Sequence, residues 1–283
     1  MGGNFWSSKA IATRCMLCIC IDYKLLSAVT AKARKSGELP WDCFSDQGRP
    51  VLGNFEENYR SPEQFIQLGI NFLKNAPQSY TVPRWHKQPQ YVEVWIEKQA
   101  LADTFISVLK DRQVKVAVNK GYASWSFLYD NCKRLQQINR KTSKNINVIY
   151  FGDFDPSGED MDRHMHQSFA TFGLKDTVNF QRIAVTQEQI EKFNLPSVPD
   201  NQETLDKVKN DTRIDKFKEK HGKLYIVELD ALLAIVPEEF KSLVQKSVDQ
   251  FFNQTIYDDM LAEYTPEQIK KLVQSKVKFL KDN

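Results

Sequence analysis

Two aspartates near the middle of the chain have the type and spacing that a divalent cation requires. Asp153 and Asp155 closely follow residues 146–151, a run of β-branched and aromatic side chains that is typical of a buried strand. In extended backbone, side chains two residues apart point to the same side, which places these carboxylates roughly 6.5 to 7 Å apart. A hard cation could therefore be held between them.

The same segment also has the features of a capped helix start. Asp155 or Ser157 can cap the helix that follows, and Pro156 suits its first turn. On this interpretation the aspartates only stabilise a helix terminus. A further acid, Glu97, favours the cation site, because it ends another predicted strand upstream.

The elements that would position these acids alternate between strand and helix patterns. Strands are predicted over 91–96, 114–118, 146–151 and 178–185, with helices over 97–111 and 124–138. Such alternation predicts an α/β fold with a Rossmann-like parallel sheet flanked by helices, whose ligands bind at the carboxyl ends of the strands. Three polar turns then converge on one rim of the sheet: Glu97-Lys98, 119–121 and 153–155.

A span that contains three prolines divides the chain into two predicted regions. Pro77, Pro83 and Pro89 predict a boundary between a smaller, mainly helical region, 1–89, and the α/β region, 90–283. The remaining predicted elements are helices over 23–36, from 61 or 62 to 76, over 207–220, over 237–252 and over 266–280, and a strand over 224–229.

The first predicted helix carries a basic face. Lys32 and Arg34 lie mainly opposite its apolar residues. Such a face is explained either by solvation or by contact with nucleic-acid phosphates. The same two explanations apply to Lys98 and Lys120, which belong to the predicted rim.

Length and composition exclude several classes of protein. With 283 residues and 41% hydrophobic content, the chain can bury a large core. The net charge is only +3, from 39 basic and 36 acidic residues, so any nucleic-acid contact must be a local patch. The apolar run 15–21 is far shorter than the about 20 residues of a membrane span, and no secretory signal is evident. These features predict an intracellular protein that makes no use of a membrane.

The cysteines are five in number and unevenly placed. Cys15, Cys18 and Cys20 form the motif CMLCIC, whereas Cys43 and Cys132 stand alone. A structural zinc site usually needs four ligands in two separated pairs. We therefore expect reduced, buried thiols, with a metal site at CMLCIC as the alternative.

A cation would make the predicted rim chemically useful. If the strands that end at Glu97 and Asp153 are neighbours, their carboxylates and that of Asp155 crowd together, and crowded carboxylates are tolerated when a cation neutralises them. An all-oxygen set suits Mg²⁺, which takes one or two carboxylates plus substrate phosphate. Mg²⁺ polarises a phosphodiester, and a carboxylate not fully committed to metal can transfer a proton.

Several segments resemble one family in the order in which they occur. VEVWIEKQAL, NKGYAS, YFGDFDPSGEDM, RIAVTQEQIEKFNLP, KNDTRIDKFKEKHG and YIVELDAL cover about residues 90–235. Together they are similar to the Toprim domain of the A subunit of type IIB DNA topoisomerase (topoisomerase VI) and of the related meiotic double-strand-break protein. The resemblance implies a Toprim-type fold and Mg²⁺-dependent breakage of DNA.

The resemblance also implies roles for particular residues and partners. Glu97 would be the Toprim glutamate, and Asp153 and Asp155 would be the metal aspartates. From its place on the predicted rim, Lys98 would act beside Glu97 in catalysis, and Lys120, Lys32 and Arg34 would bind DNA. A homodimer and an ATPase subunit of the B type are the implied protein partners.

The N-terminal region departs from the family. The relatives carry a winged-helix domain with a nucleophilic tyrosine closely preceded by arginine, and the 90 residues before the first predicted strand are short for such a domain. Tyr23, in CICIDYKLL, lacks that arginine and is a weak candidate; its alternative role is to pack at a helix start. Region 1–89 is then a remnant of a winged-helix domain, and a metal-activated water could cleave DNA in place of the tyrosine.

Two rival functions fit the same residues. One is a non-catalytic DNA-binding or assembly module that keeps the fold and the metal site but has lost its nucleophile. The other is a metal-dependent phosphatase or phosphotransferase that acts on small molecules, which predicts little salt-dependent affinity for DNA.

Overall fold

The architecture is built on one sheet of four parallel strands. A computed structural model of the chain describes residues 22–40, 61–119, 125–197 and 211–282. The sheet has the strand order β2-β1-β3-β4, with every neighbouring pair parallel. This confirms the predicted α/β class with a parallel sheet flanked by helices. The strands are β1 (Gln90–Ile96), β2 (Lys115–Val118), β3 (Asn145–Phe151) and β4 (Val178–Ala184).

Helices occupy most of the remaining described chain. Short 3₁₀ turns, Gln99–Leu101 and Lys110–Arg112, flank the helix that follows β1. The helices of the described ranges are α1 (Asp22–Lys35), α2 (Pro62–Ser79), α3 (Ala102–Leu109), α4 (Trp125–Thr142), α5 (Pro156–Thr171), α6 (Gln187–Phe193), α7 (Ile214–His221), α8 (Leu229–Ile235), α9 (Pro237–Asp249), α10 (Gln254–Glu263) and α11 (Pro266–Asp282).

The period-two alternation of β1 gives each face of the sheet its own hydrophobic cluster. Val94 and Ile96 belong to a cluster that includes residues of α3 and α9, whereas Trp95 belongs to a second cluster with residues of α4 and α5. Because side chains of a strand alternate between faces, a strand covered on both sides must be apolar at successive positions. This is why 146–151 and the end of β1 read as continuous buried runs.

The strand order brings two acid-bearing turns together. β1 and β3 are direct neighbours, and their register pairs Ile96 with Phe151 at the last position of both strands. The pairing continues one residue further, because the Glu97 N–H donates to the Phe151 carbonyl at 3.0 Å. The turns after these two strands therefore begin at the same rim of the sheet.

The segment after β1 differs from its prediction as one helix over 97–111. Lys98 has extended backbone, with φ −99° and ψ 121°, and a 3₁₀ turn precedes α3. In a helix that started at Glu97, the Glu97 and Lys98 side chains would point in different directions around the helix axis. With extended backbone at Lys98, both residues stay at the carboxyl end of β1.

The predicted strand over 224–229 is wrong. Only one antiparallel bridge forms there, between Val227 and Phe154, and α8 begins at Leu229. The β-branched and aromatic composition of LYIVEL reflects burial rather than strand pairing, since Leu224, Tyr225 and Val227 are core residues.

Helix boundaries differ near prolines and caps. The second helix passes Pro77, where it was predicted to stop, and ends at Ser79. Proline in the last turn removes a single intrahelical bond, and the Tyr80 N–H still donates to the Ala76 carbonyl at 2.9 Å. Helix α10 was not predicted; the Asn253 side chain caps it by accepting from the Ile256 N–H at 3.1 Å.

Helix α2 leaves an unusual amount of apolar surface exposed. It packs against α11, yet Phe65 and Phe72 each remain 71% exposed. Among the described helices, none is both long enough and apolar enough to cross a bilayer. Of the cysteines, Cys132 is a buried thiol in α4, and the CMLCIC motif and Cys43 lie outside the described residues.

Candidate functional site

Glu97 is fixed at the rim by two donors from β3 and the turn after it. Its Oε2 accepts from the Asp153 backbone N–H at 3.0 Å and from the Tyr150 hydroxyl at 3.3 Å. Burial, reinforced by the negative charge of Glu97, raises the pKa of Tyr150 far above its ordinary value. The phenol therefore stays protonated and acts as a donor toward Glu97.

Asp153 lies beside Glu97 and is itself held by backbone. Its Oδ1 accepts from the Leu229 N–H at 2.8 Å, at the start of α8, and its Oδ2 is 3.6 Å from the Lys98 ammonium. Burial raises the pKa of Asp153 to about 6; the Leu229 N–H and Lys98 oppose that shift, and the charge of Glu97 adds to it. Because burial destabilises the charged form of Asp153, a nearby cation would stabilise this carboxylate.

Lys98 supplies the positive charge of the rim. Its ammonium is 2.8 Å from Glu228 Oε2 and 3.6 Å from both Asp153 Oδ2 and Asp230 Oδ2. Burial acts to lower the pKa of Lys98, but the Glu228 hydrogen bond and the neighbouring carboxylates outweigh it, so the pKa is raised overall. Lys98 is a permanent cation at neutral pH.

Glu228 and Asp230 are rim residues that the sequence analysis missed. They flank Leu229 at the start of α8. Glu228 lies in the predicted strand, 224–229, and Asp230 is the residue directly after it. The available signal was their spacing: two acids two residues apart, as in Asp153 and Asp155. Among the atoms that the structure describes, Asp230 Oδ1 is a buried carboxylate oxygen without a hydrogen-bond partner.

Asp155 has the capping role that its local sequence allowed. Its Oδ1 accepts from the Gly158 N–H at 2.6 Å and from the Ser157 hydroxyl at 2.8 Å, which makes it the N-cap of α5. Neither bond uses Oδ2. The capped-helix interpretation therefore holds for Asp155, and any part in cation binding would have to come from its second oxygen.

The acidic turn after β3, residues 153–155, is held in place by hydrogen bonds from Arg182 and by close contacts at two glycines. The Arg182 guanidinium donates to the Asp153 carbonyl, to the Gly158 carbonyl at 3.2 Å and to Asp162 Oδ1 at 2.9 Å. A Cβ at Gly158 would lie 2.2 Å from the Asp153 carbonyl oxygen, and one at Gly152 would lie 2.7 Å from Glu97 Oε2. Glycine is needed at both positions because backbone and carboxylate approach so closely.

The other predicted site residues lie on α1 or outside the described chain. Lys120 is outside the described residues. Tyr23 lies in the first turn of α1, and its side chain is not among those described. Lys32 is exposed on the same helix, and the Arg34 side chain donates to the Thr30 carbonyl at 3.4 Å.

The oxygen donors of the rim fit a hard cation, although they do not form a finished site. Within the described ranges, no group of three or more His, Cys, Asp or Glu side chains is already arranged to hold a metal ion. Two features account for this: Asp155 is engaged in capping, and the Lys98 ammonium lies among the other carboxylates. Buried Asp153 and the unpartnered Asp230 Oδ1 nevertheless provide the chemistry that Mg²⁺ prefers.

The fold and the rim together define an α/β protein with an acidic, lysine-containing group at the carboxyl ends of its central strands. No protein-family model matches the chain, and no curated protein sequence is significantly similar to it. The functional conclusion consequently rests on the geometry of this rim.

Proposed function

We propose that this protein is a Toprim-type, Mg²⁺-dependent DNA-binding and phosphodiester-cleaving enzyme that resembles the A subunit of topoisomerase VI. One observation carries the proposal: Glu97 and Asp153, 56 residues apart in the chain, are joined by a 3.0 Å hydrogen bond at the carboxyl ends of neighbouring parallel strands. Ligand sites of open α/β sheets lie at this end of the strands.

Glu97 and Asp153 are the residues that would hold the cation, with the second oxygen of Asp155 as a further ligand. When bound, Mg²⁺ would stabilise negative charge on the scissile phosphate. Lys98 remains protonated and neutralises a phosphate oxygen from the protein side. Glu97, fixed by Tyr150 and by the Asp153 N–H, is the carboxylate best placed to accept a proton.

The proposed cleavage uses a water molecule as nucleophile. Tyr23, the candidate nucleophile of the N-terminal region, lacks the arginine that precedes the tyrosine in the family that the chain resembles. Hydrolysis leaves a nick without a covalent protein–DNA bond. A DNA substrate implies an intracellular location, with a homodimer and an ATPase subunit as proposed partners.

Nicking of supercoiled plasmid tests the proposal. The full-length chain is incubated with plasmid and Mg²⁺, beside Glu97→Ala and a matched control, Glu238→Ala, which removes a carboxylate that is 78% exposed and whose ion-pair partner is Lys241 rather than a rim residue. We expect nicking by the wild type and the control, and loss of nicking with EDTA or Glu97→Ala. Equal nicking by Glu97→Ala and the wild type would refute the proposed site.

The capping role of Asp155 and the unfinished metal group favour a second candidate, a DNA-binding module without catalysis. This candidate predicts that plasmid is retarded by the protein in a salt-dependent manner but stays supercoiled with Mg²⁺ or Mn²⁺. The same gel therefore separates the two functions.

A further inference from the structure

The Lys98 ammonium lies among three carboxylates at unequal distances. Glu228 Oε2 is closest at 2.8 Å, within hydrogen-bond distance, whereas Asp153 Oδ2 and Asp230 Oδ2 are each 3.6 Å away. The Lys98 and Asp153 side chains are 24% and 14% exposed, so solvent screens their attraction only in part.

The charges at the rim do not balance. Glu97, Asp153, Glu228 and Asp230 are four acids around one ammonium, that of Lys98. The nearby Arg182 guanidinium does not offset them, because it is paired with Asp162. A divalent cation and the ammonium would be attracted to the same carboxylates and would repel each other. The nearest partner of Lys98 is Glu228, so the ammonium is hydrogen-bonded to Glu228 at 2.8 Å and lies beyond hydrogen-bond distance, at 3.6 Å, from Asp153.

We propose that Lys98 is the built-in counter-ion of this acidic rim and that Glu228 is a positioning residue, which holds the ammonium so that a divalent cation can compete for Asp153. The inference rests on the proposed function, since it concerns the same cation site. It assigns Glu228 an effect that is transmitted through Lys98 rather than through direct contact with the cation.

The proposal predicts opposite effects for the two residues. Lys98→Met removes the competing charge, so the cation binds more tightly, while the cation-free protein loses its counter-ion and becomes less stable. Glu228→Gln weakens the hold on the ammonium, which then settles on Asp153 and competes more strongly. In the Lys98→Met background there is no ammonium for Glu228 to hold, so Glu228→Gln should have little further effect on cation binding.

Cation-dependent thermal unfolding measures these effects without reference to activity. The melting temperature of the full chain is followed against Mn²⁺ and against Mg²⁺ for the wild type, Lys98→Met, Glu228→Gln and the double variant. Lys98→Arg keeps the positive charge. Lys87→Met removes the lysine of an exposed pair with Glu263 and controls for the change in net charge.

We expect the half-stabilising Mn²⁺ concentration to fall by about tenfold in Lys98→Met and to rise by about fivefold in Glu228→Gln. Lys98→Arg and Lys87→Met should stay within about twofold of the wild type, and the double variant within about twofold of Lys98→Met. This pattern supports the inference.

Three other outcomes contradict it, and they are distinguishable. Equal curves for the wild type and Lys98→Met would show that Lys98 does not compete with the cation. A full additive effect of Glu228→Gln in the Lys98→Met background would show that Glu228 acts on the cation directly. The absence of cation-dependent stabilisation in every protein would overturn the proposed function together with this inference.

Discussion

The backbone N–H of Asp153 donates a hydrogen bond to Glu97 Oε2 at 3.0 Å. Through this bond the turn after β3 determines where the carboxylate at the end of β1 lies. The two acids are thus coupled by backbone, and a change in the conformation of either turn alters the position of both.

Replacement of Asp153 by asparagine should make the cation-free protein more stable at neutral pH. Asp153 has a pKa raised to about 6 by burial, above the ordinary value of about 3.9 for the unfolded chain. The folded state therefore binds more protons than the unfolded state between these values, and its stability falls as the pH rises from about 4 to about 6. Asparagine does not titrate.

The difference in unfolding free energy between Asp153→Asn and the wild type, measured by urea denaturation in EDTA, should grow by about 2 to 3 kcal/mol from pH 4 to pH 6. Above about pH 7, where Asp153 is ionised in both states, it should stay constant. Added Mg²⁺ should stabilise only the wild type. A difference that does not change with pH would show that Asp153 is not disfavoured in its charged form.

Two substitutions of Asp155 should separate capping from cation binding. Asp155→Asn keeps an oxygen that can accept from the Gly158 N–H, whereas Asp155→Ala leaves that donor without its cap. We expect Asp155→Ala to cost about 1 kcal/mol and Asp155→Asn to cost a few tenths, by thermal denaturation in EDTA.

If Asp155 also binds the cation, Asp155→Asn should weaken Mg²⁺-dependent stabilisation even though its helix is intact. An Asp155→Asn protein that responds to Mg²⁺ like the wild type would restrict Asp155 to capping.

Gly158→Ala should be one of the most damaging conservative substitutions in the chain. The new Cβ would lie 2.2 Å from the Asp153 carbonyl oxygen, so either α5 or the acidic turn must move. We expect a loss of at least about 2 kcal/mol in unfolding free energy.

Gly69→Ala in α2 is the matched control, because its Cβ meets nothing within 4 Å. Alanine stabilises an exposed helix interior, and a gain of up to about 1 kcal/mol is expected. Chemical denaturation of both variants decides the point: a similar effect of the two alanines would mean that the Gly158 contact is not tight.

Replacement of one partner of the Glu93–Arg134 ion pair should destabilise the protein strongly, whereas replacement of both partners should destabilise it much less. Glu93 is fully buried, and its Oε2 accepts from Arg134 Nη2 at 2.8 Å and from Trp95 Nε1 at 3.1 Å. Burial acts to raise the pKa of Glu93, but the hydrogen bonds from Arg134 and Tyr91 outweigh it and lower the pKa. The pair therefore contributes its stability above about pH 4.5 and loses it on acidification.

Arg134→Met alone should cost about 3 to 5 kcal/mol at pH 7, because it leaves a buried carboxylate without its partner. The double variant Glu93→Gln with Arg134→Met should recover much of that loss. Urea denaturation gives both values, and a double variant less stable than Arg134→Met would contradict the argument.

The sequence predicted the parts of the site that depend on long-range regularity. Runs of apolar residues located β1 and β3, and the rule that ligands bind at the carboxyl ends of parallel strands pointed to Glu97 and Asp153. The sequence could not show that these two strands are neighbours, because strand order depends on contacts between residues far apart in the chain.

The predictions that were wrong or incomplete concern local conformations that amino-acid composition does not determine. The pattern LYIVEL is shared by buried strands and by buried irregular segments. This ambiguity concealed the positions of Glu228, near the end of the pattern, and of Asp230, the residue after it. For Asp155, the spacing fits both a cap and a ligand, and only the 2.6 Å bond to the Gly158 N–H shows which role its Oδ1 takes.

Both acid-bearing strands, β1 and β3, have a hydrogen-bonded neighbour on each side, while β2 and β4 form the edges. Backbone amides in such interior strands are the slowest to exchange with solvent and open only when the domain unfolds. The strands that carry Glu97 and Asp153 at their ends should therefore stay formed until the domain unfolds. If the rim binds a ligand as proposed, the two acids are ordered beforehand, and little of the binding free energy is spent on ordering them.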